Sequence, residues 1–277
     1  MRRATDPRQR GVTLVEMIIA IVITGILVSM ASMFGRWQIQ SYFDVSSRAA
    51  LADAGDTALR RMARELQDSL PNSVRVSGNF LEFVPIRDAG RYRAESGGGA
   101  GDDPLDFGSS TDNTFDVFGP TVNIAAGEQL VIYNLGLAGS DVYAGTSRRA
   151  ATAGTGLSKV TFAPAGTQFP FPSPRNRFHV VGQPMTFECA PNAGNPALGV
   201  VRMRWNYGFL AAQPVLPASF GAGSSAVLVS GVASCAITYA PGALQRNGLV
   251  SIRLALANDE GSERIELLHQ VDVVNSP

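Results

Sequence analysis

The feature that most constrains this 277-residue chain is an apolar run, residues 12–35, whose 24 residues include a single ionisable one, Glu16. About 20 apolar residues in a helix cross the hydrocarbon core of a bilayer, so the run predicts a membrane-spanning helix. Four arginines and one aspartate precede it within residues 1–11. By the positive-inside rule, this basic segment is expected in the cytoplasm and everything after Arg36 on the far side of the membrane.

The run differs from a secretory signal peptide. The apolar core of such a signal spans about 7–15 residues and ends at a small-residue cleavage site, whereas this run is longer and continues into a helix-compatible polar segment. A carboxylate such as Glu16 in a membrane span costs a few kcal/mol on insertion scales. It therefore needs a partner, a function, or a position close enough to the membrane surface to reach water.

The residues around Glu16 resemble a known signal. The stretch Gly11–Glu16 has the sequence GVTLVE, follows a short basic leader and opens the unbroken apolar run. This combination resembles the class III signal of type IV prepilins. The resemblance implies that a membrane prepilin peptidase cleaves after Gly11, on the cytoplasmic face, and methylates the new amine of Val12. The family more often has Phe at this first mature position, and Val12 departs from that pattern.

The resemblance gives roles to the two residues that flank this signal. Glycine suits the position before the cut because Gly11 has no side chain to obstruct the protease. Glu16, as the fifth residue of the mature chain, is implied to pair with the terminal amine of a neighbouring subunit and so to set register in a helical filament. The implied partners are prepilin peptidase, other pilin subunits through the N-terminal helix, membrane lipid, and an inner-membrane assembly platform with its ATPase.

Beyond the apolar run, an amphipathic pattern predicts that the helix continues to Leu70. The apolar residues recur at helical spacing, at Leu59, Met62, Ala63, Leu66 and Leu70. Such a stripe is typical of a helix packed on its own core, and the residue before Pro71 disfavours the α region. We therefore expect a basic leader over residues 1–11, a membrane-spanning half over 12–35 and a periplasmic half over 36–70.

From residue 71 onward, apolar residues alternate with period two, as in half-buried strands. The predicted strands cover residues 80–84, 129–133, 158–162, 178–181, 185–189, 201–205, 226–230, 235–239, 250–256 and 263–274. Residues 258–261 predict a hairpin loop, and segments 96–113 and 143–157 predict mobile loops. The patterns thus predict an α+β fold in which the long helix packs on an antiparallel β-rich periplasmic domain, residues 71–277, and the prepilin resemblance implies that this fold is pilin-like.

The two cysteines, Cys189 and Cys235, occupy strand-like positions beyond the membrane. Disulfides form and persist in oxidising compartments such as the bacterial periplasm. A disulfide between these two residues is therefore favoured over two free buried thiols.

Composition argues against catalysis and against nucleic-acid binding. Basic and acidic residues number 23 each, so the chain lacks the excess of basic residues that neutralises phosphates. The sequence contains no Gly-x-Ser-x-Gly, Walker A or His-Glu-x-x-His motif. His179 and His269 have no ligand residues at suitable spacing, so we expect structural histidines, no metal and no cofactor. The acidic segment 102–116 lacks EF-hand spacing, which favours a solvated loop over a calcium site.

Three functions accommodate these features. The chain is a minor pilin that acts in pilus assembly or initiation, a J-type pseudopilin of type II secretion, or a membrane-anchored periplasmic enzyme or binding protein. The missing catalytic motifs disfavour the third. Local similarity favours the first, because several stretches resemble the O-type minor pilins of mannose-sensitive haemagglutinin pilus systems. They are residues 59–66, 70–75, 80–85, 90–93, 178–189 and 245–271. The resemblance implies an inner-membrane location before incorporation into the pilus.

Overall fold

The computed structural model describes residues 11–163, 168–242, 247–258 and 261–275, with the backbone alone for residues 34–40. One helix, α1 (Leu14–Gln67), precedes sixteen strands, and all of their pairings are antiparallel among the described residues. This arrangement confirms the predicted α+β, pilin-like fold. Except for Gly11, the predicted leader lies outside the described residues. The chain divides into two compact units, Met1–Ala49 and Ala50–Pro277, and the second contains all the described strands.

The predicted apolar stripe of the helix is buried. Its buried members within α1 are Leu59, Met62, Ala63 and Leu66. The helix ends at Gln67, three residues before the predicted end at Leu70. Leu70 instead donates its backbone N–H to the carbonyl of Val84, 2.8 Å away. The residue before a proline prefers extended backbone, and the neighbouring strand provides the hydrogen bond that the helix would have supplied.

Gly55 lies in α1 where the helix packs against leucine side chains of a sheet. A Cβ atom at this position would come within 2.5 Å of Leu267 Cδ1 and 2.9 Å of Leu256 Cδ1. Any larger residue would force these core side chains to move. The glycine lowers helix propensity, and a side chain here would have to displace the methyl groups of these two leucines.

Within the described residues, sixteen strands form the β-rich part. Their bounds are β1 Arg75–Ser77, β2 Phe80–Phe83, β3 Ile86–Arg91, β4 Thr114–Asp116, β5 Val122–Ile124, β6 Gln129–Val131, β7 Arg148–Ala151, β8 Gly154–Leu157, β9 Lys159–Ala163, β10 Arg177–Val181, β11 Met185–Ala190, β12 Val200–Trp205, β13 Ser224–Ser230, β14 Val232–Ala240, β15 Gly248–Ala257 and β16 Arg264–Val273. Two short 3₁₀ helices, Pro196–Leu198 and Pro217–Phe220, flank β12.

Two sheets share one core with the carboxyl-terminal part of α1. The first has the order β1-β2-β11-β12-β13 and the second the order β14-β15-β16. Leu66 of the helix, Phe83 and Phe187 of the first sheet, and Ile252 of the second belong to one buried cluster. Burying side chains of this size stabilises a fold by about 1.5–3 kcal/mol each. This cluster therefore joins the helix to both sheets.

The remaining strands enclose a separate aromatic core. A six-stranded sheet has the order β3-β10-β6-β7-β9-β4, and β5 pairs with β8. The rings of Phe115 and Phe178 lie 5.2 Å apart, as do those of Phe162 and Phe169. Aromatic pairs at such distances contribute about 0.5–1.5 kcal/mol beyond the area they bury.

Each of the ten predicted strand segments contains a strand, but the prediction for residues 143–157 was wrong. This segment forms β7 and β8 instead of a loop. β7 has only arginines and alanines, so it shows no alternation, and its position between β6 and β9 supplies the pairing. β15 and β16 form the predicted hairpin. Residues 259–260 of its loop lie outside the described residues.

Candidate functional site

The amino-terminal residues of the described chain have open backbone. Residues 11–13 are non-helical, and α1 begins at Leu14. The Val12 side chain is 72% exposed. A Cβ atom placed on Gly11 would meet nothing within 4 Å. No contact of the described residues therefore requires glycine at this position.

Thr13 caps the helix that follows. Its hydroxyl Oγ1 accepts a hydrogen bond from the backbone N–H of Glu16 at 3.3 Å, and its carbonyl accepts the first helical bond from Met17 at 3.1 Å. The Thr-x-x-Glu spacing is that of a capping box. Sequence reasoning missed this role of Thr13, although the spacing itself was a usable signal.

Glu16 lies in the first turn of α1, and its side chain is exposed. A helix N-terminus carries a partial positive charge, which stabilises a carboxylate in the first turn. Glu16 is thus an exposed acid at the end of an apolar helix, five residues from Gly11. Gly11, Val12 and Glu16 lie together because they are close in sequence.

The apolar segment Leu14–Met33 is long and apolar enough to cross a membrane as a helix. Its side chains are exposed along the whole segment. Within a water-soluble unit, such a row of large apolar side chains would be buried. The exposed surface is therefore suited to lipid or to apolar helices of other subunits.

The structure joins Cys189 and Cys235 in a disulfide, with the two Cα atoms 6.6 Å apart. Cys189 belongs to β11 and Cys235 to β14, so the bond connects the five-stranded sheet to the three-stranded sheet. The two residues lie 46 positions apart in sequence. The bond therefore closes a large loop between the two sheets that pack against α1.

A buried ion pair lies on the five-stranded sheet. Arg75 Nε is 2.6 Å from an oxygen of Glu82, whose side chain is fully buried. Tyr207 donates its hydroxyl to the other oxygen at 2.9 Å. Burial raises the pKa of Glu82, although Arg75 and Tyr207 counteract the shift. Arg75 also donates to the carbonyls of Leu210 and Ala211, which ties the β12–β13 connection to the sheet.

The acidic segment 102–116 is held by the protein's own donors. An oxygen of Asp102 accepts the backbone N–H of Gly97 at 2.6 Å, and Lys159 Nζ lies 3.0 Å from Asp103. The hydrogen bond from Gly97 lowers the pKa of Asp102. Among the described residues, no group of three or more His, Cys, Asp or Glu side chains is placed to hold a metal ion.

The two histidines lie in strands, His179 in β10 and His269 in β16. Burial and, secondarily, the charge of Arg177 lower the pKa of His179 to about 4. His179 is therefore neutral at physiological pH. Among the described residues, neither histidine belongs to a group of His, Cys, Asp or Glu side chains that could hold a metal ion.

Comparison with known protein families gives a match at the amino-terminal segment. A model of the family described as the prokaryotic N-terminal methylation motif matches residues 6–32. The matched residues include Gly11, Val12, Thr13 and Glu16 and most of the exposed apolar segment. No curated protein and no solved structure matches the chain significantly.

The motif and the fold together support a type IV pilin-like or pseudopilin protein. The motif implies processing by prepilin peptidase in the context of pilin assembly, and with the apolar helix it indicates membrane anchoring. It is typical of a structural subunit, in contrast to an enzyme.

Proposed function

We propose that the chain is a minor pilin of a type IV pilus of the mannose-sensitive haemagglutinin kind, acting in pilus assembly or initiation. The observation that carries this proposal is the Gly11–Glu16 motif placed at the start of an exposed apolar helix. The resemblance of residues 59–66, 70–75, 80–85, 90–93, 178–189 and 245–271 to O-type minor pilins motivates the finer assignment. A J-type pseudopilin would carry the same motif, so the local similarity favours the pilus.

In this proposal, prepilin peptidase cleaves the bond between Gly11 and Val12 and methylates the amine of Val12. The open, exposed backbone of residues 11–13 supports access to this bond. The residue at position 11 is consistent with this access. The described residues leave room for a side chain there, yet the sequence has glycine, which leaves the bond unobstructed. Residues 1–11 are then the removed leader.

The new amine of Val12 remains a cation at the membrane boundary. Glu16 is exposed in the first helical turn, so its carboxylate is accessible to the amine of an adjacent subunit. Pairing the two charges offsets the cost of removing each of them from water. The pairing fixes the axial offset between subunits in the filament.

The membrane half of α1, residues 12–35, anchors the subunit in the inner membrane with its amino end in the cytoplasm. Residues 36–70 and the β-rich domain, residues 71–277, lie in the periplasm. The Cys189–Cys235 disulfide supports this topology, because such bonds persist in oxidising compartments. The proposed partners are other pilins through α1, membrane lipid, and the assembly platform with its ATPase.

Replacing Gly11 by valine tests the processing step. We expect the full-length precursor to accumulate in membranes, while Gly25→Val is cut normally. Gly25 is a matched control, because a Cβ atom at either glycine would meet nothing within 4 Å and neither change disturbs the fold. Immunoblots of the membrane fraction separate precursor from mature chain. Normal cleavage of the Gly11→Val chain at the same bond would refute the proposal.

Replacing Glu16 by valine tests the assembly step. The variant is expected to be cleaved and methylated but to be missing from sheared filaments, because its neighbour's amine has lost its partner. Deleting the gene should abolish surface pili and leave type II secretion unchanged. Loss of secretion with intact pili would instead identify the chain as a pseudopilin.

A further inference from the structure

The feature that carries a further inference is the boundary between open backbone and helix at Thr13. The helix begins two residues after the Gly11–Val12 bond, and Thr13 marks the boundary with its side chain. The Oγ1 atom of Thr13 satisfies the N–H of Glu16, one of the four donors that lack a partner at a helix start.

The cap opposes growth of the helix toward the amino end. An N-cap residue has non-helical backbone, so a helix that included Thr13 would lose the hydrogen bond to Glu16. Threonine is also a poorer helix former than alanine. Both effects favour a helix that starts at Leu14.

If the helix were extended by two residues, the backbone at the Gly11–Val12 bond would become part of the helix and would be less accessible to the protease. The carbonyl of Gly11 would then accept the N–H of Val15, four residues along, as in any α-helix. A protease acts on the open form of such a segment, so cleavage follows the population in which the bond is free. In the described structure, residues 11–13 are open and Val12 is exposed.

We infer that Thr13 is a positioning residue for processing, which holds the start of α1 away from the Gly11–Val12 bond. The inference rests on the proposed cleavage by prepilin peptidase. It assigns to Thr13 an effect on how accessible the Gly11–Val12 bond is to the peptidase. Thr13 acts through the helix and does not itself take part in the chemistry.

Four substitutions in the full-length chain test this inference. Thr13→Ala removes the cap and favours helix, so we expect the ratio of helical to open backbone at residues 12–13 to rise about tenfold, equivalent to about 1.4 kcal/mol, and the initial rate of cleavage in membranes to fall about two- to fivefold with the open fraction. Thr13→Ser and Thr13→Asp keep an oxygen that caps, and both should be cut near the wild-type rate. Thr13→Gly has no side chain but is tolerated at the cap and opposes helix, so it should also be cut normally.

The Thr13→Gly variant distinguishes an effect on the accessibility of the Gly11–Val12 bond from direct recognition of the threonine side chain by the peptidase. If the peptidase reads the threonine side chain, Thr13→Gly is cut as slowly as Thr13→Ala, and the inference is refuted. A second readout needs no peptidase: amide exchange at Val15 should slow in Thr13→Ala, because its N–H then donates to the carbonyl of Gly11. Unchanged exchange at Val15 contradicts the account.

The wild-type chain distinguishes the two levels of the proposal. A wild-type chain that active peptidase leaves uncut refutes both the proposed function and this inference. A wild-type chain cut after Gly11, together with Thr13→Ala cut at the same rate, refutes the inference alone.

Discussion

Removing the disulfide gives a sharp test of how the two inner sheets are held together. The double variant Cys189→Ala/Cys235→Ala releases the link between β11 and β14 and removes the two sulfur atoms from the core. The bond constrains a loop of 46 residues in the unfolded chain. In the chain-entropy model, opening a loop of that size lowers the free energy of unfolding by roughly 4 kcal/mol.

Urea unfolding of the full-length chain in detergent, followed by tryptophan fluorescence, measures this loss. With a dependence of about 2 kcal/mol per molar urea, the midpoint should fall by about 2 M. The reduced wild-type chain is the matched control, because it has lost the same link and keeps the sulfur atoms. A double variant within about 1 kcal/mol of the oxidised wild type would refute the reasoning.

Two further predictions concern ionisable side chains of the β-rich part. His179 is neutral in the fold, since its pKa is lowered to about 4, so its contribution to stability is present above pH 6.5 and is lost as pH falls to about 4. Between pH 6.5 and pH 4 the wild-type chain should therefore lose about 3 kcal/mol of unfolding free energy through His179, and His179→Gln should not show this loss. Urea unfolding at several pH values across that window measures the difference. Arg75→Met leaves Glu82 buried without its cation and should lower the free energy of unfolding by about 3 kcal/mol, whereas Arg253→Met, at an exposed pair, should change it by less than about 1 kcal/mol. Equal losses in the two arginine variants would contradict the burial argument.

The architecture could be predicted from the sequence wherever a local pattern determines it. The stripe from Leu59 to Leu66 predicted the buried face of α1, and alternation predicted strands such as β12 and β15. β7 and β8 could not be predicted from alternation, because their residues carry none and their pairing is supplied by β5, β6 and β9. The end of α1 was misplaced by three residues, since a sheet contact at Leu70 competed with the helix.

The candidate site could also be predicted from the sequence, because a local pattern determines it. Gly11, Val12 and Glu16 form one continuous stretch, so their spacing in sequence is their arrangement at the helix start. The buried cluster of Arg75, Glu82 and Tyr207 gave no such signal. Tyr207 lies 125 residues from Glu82, and only the fold brings its hydroxyl to the carboxylate.

The central claim is that the chain is a processed pilin-like subunit, and its amino terminus tests this most directly. Intact mass and amino-terminal sequencing of the protein extracted from membranes with active prepilin peptidase should give a chain that begins at N-methylated Val12. A chain that still begins at Met1 under those conditions would contradict the account.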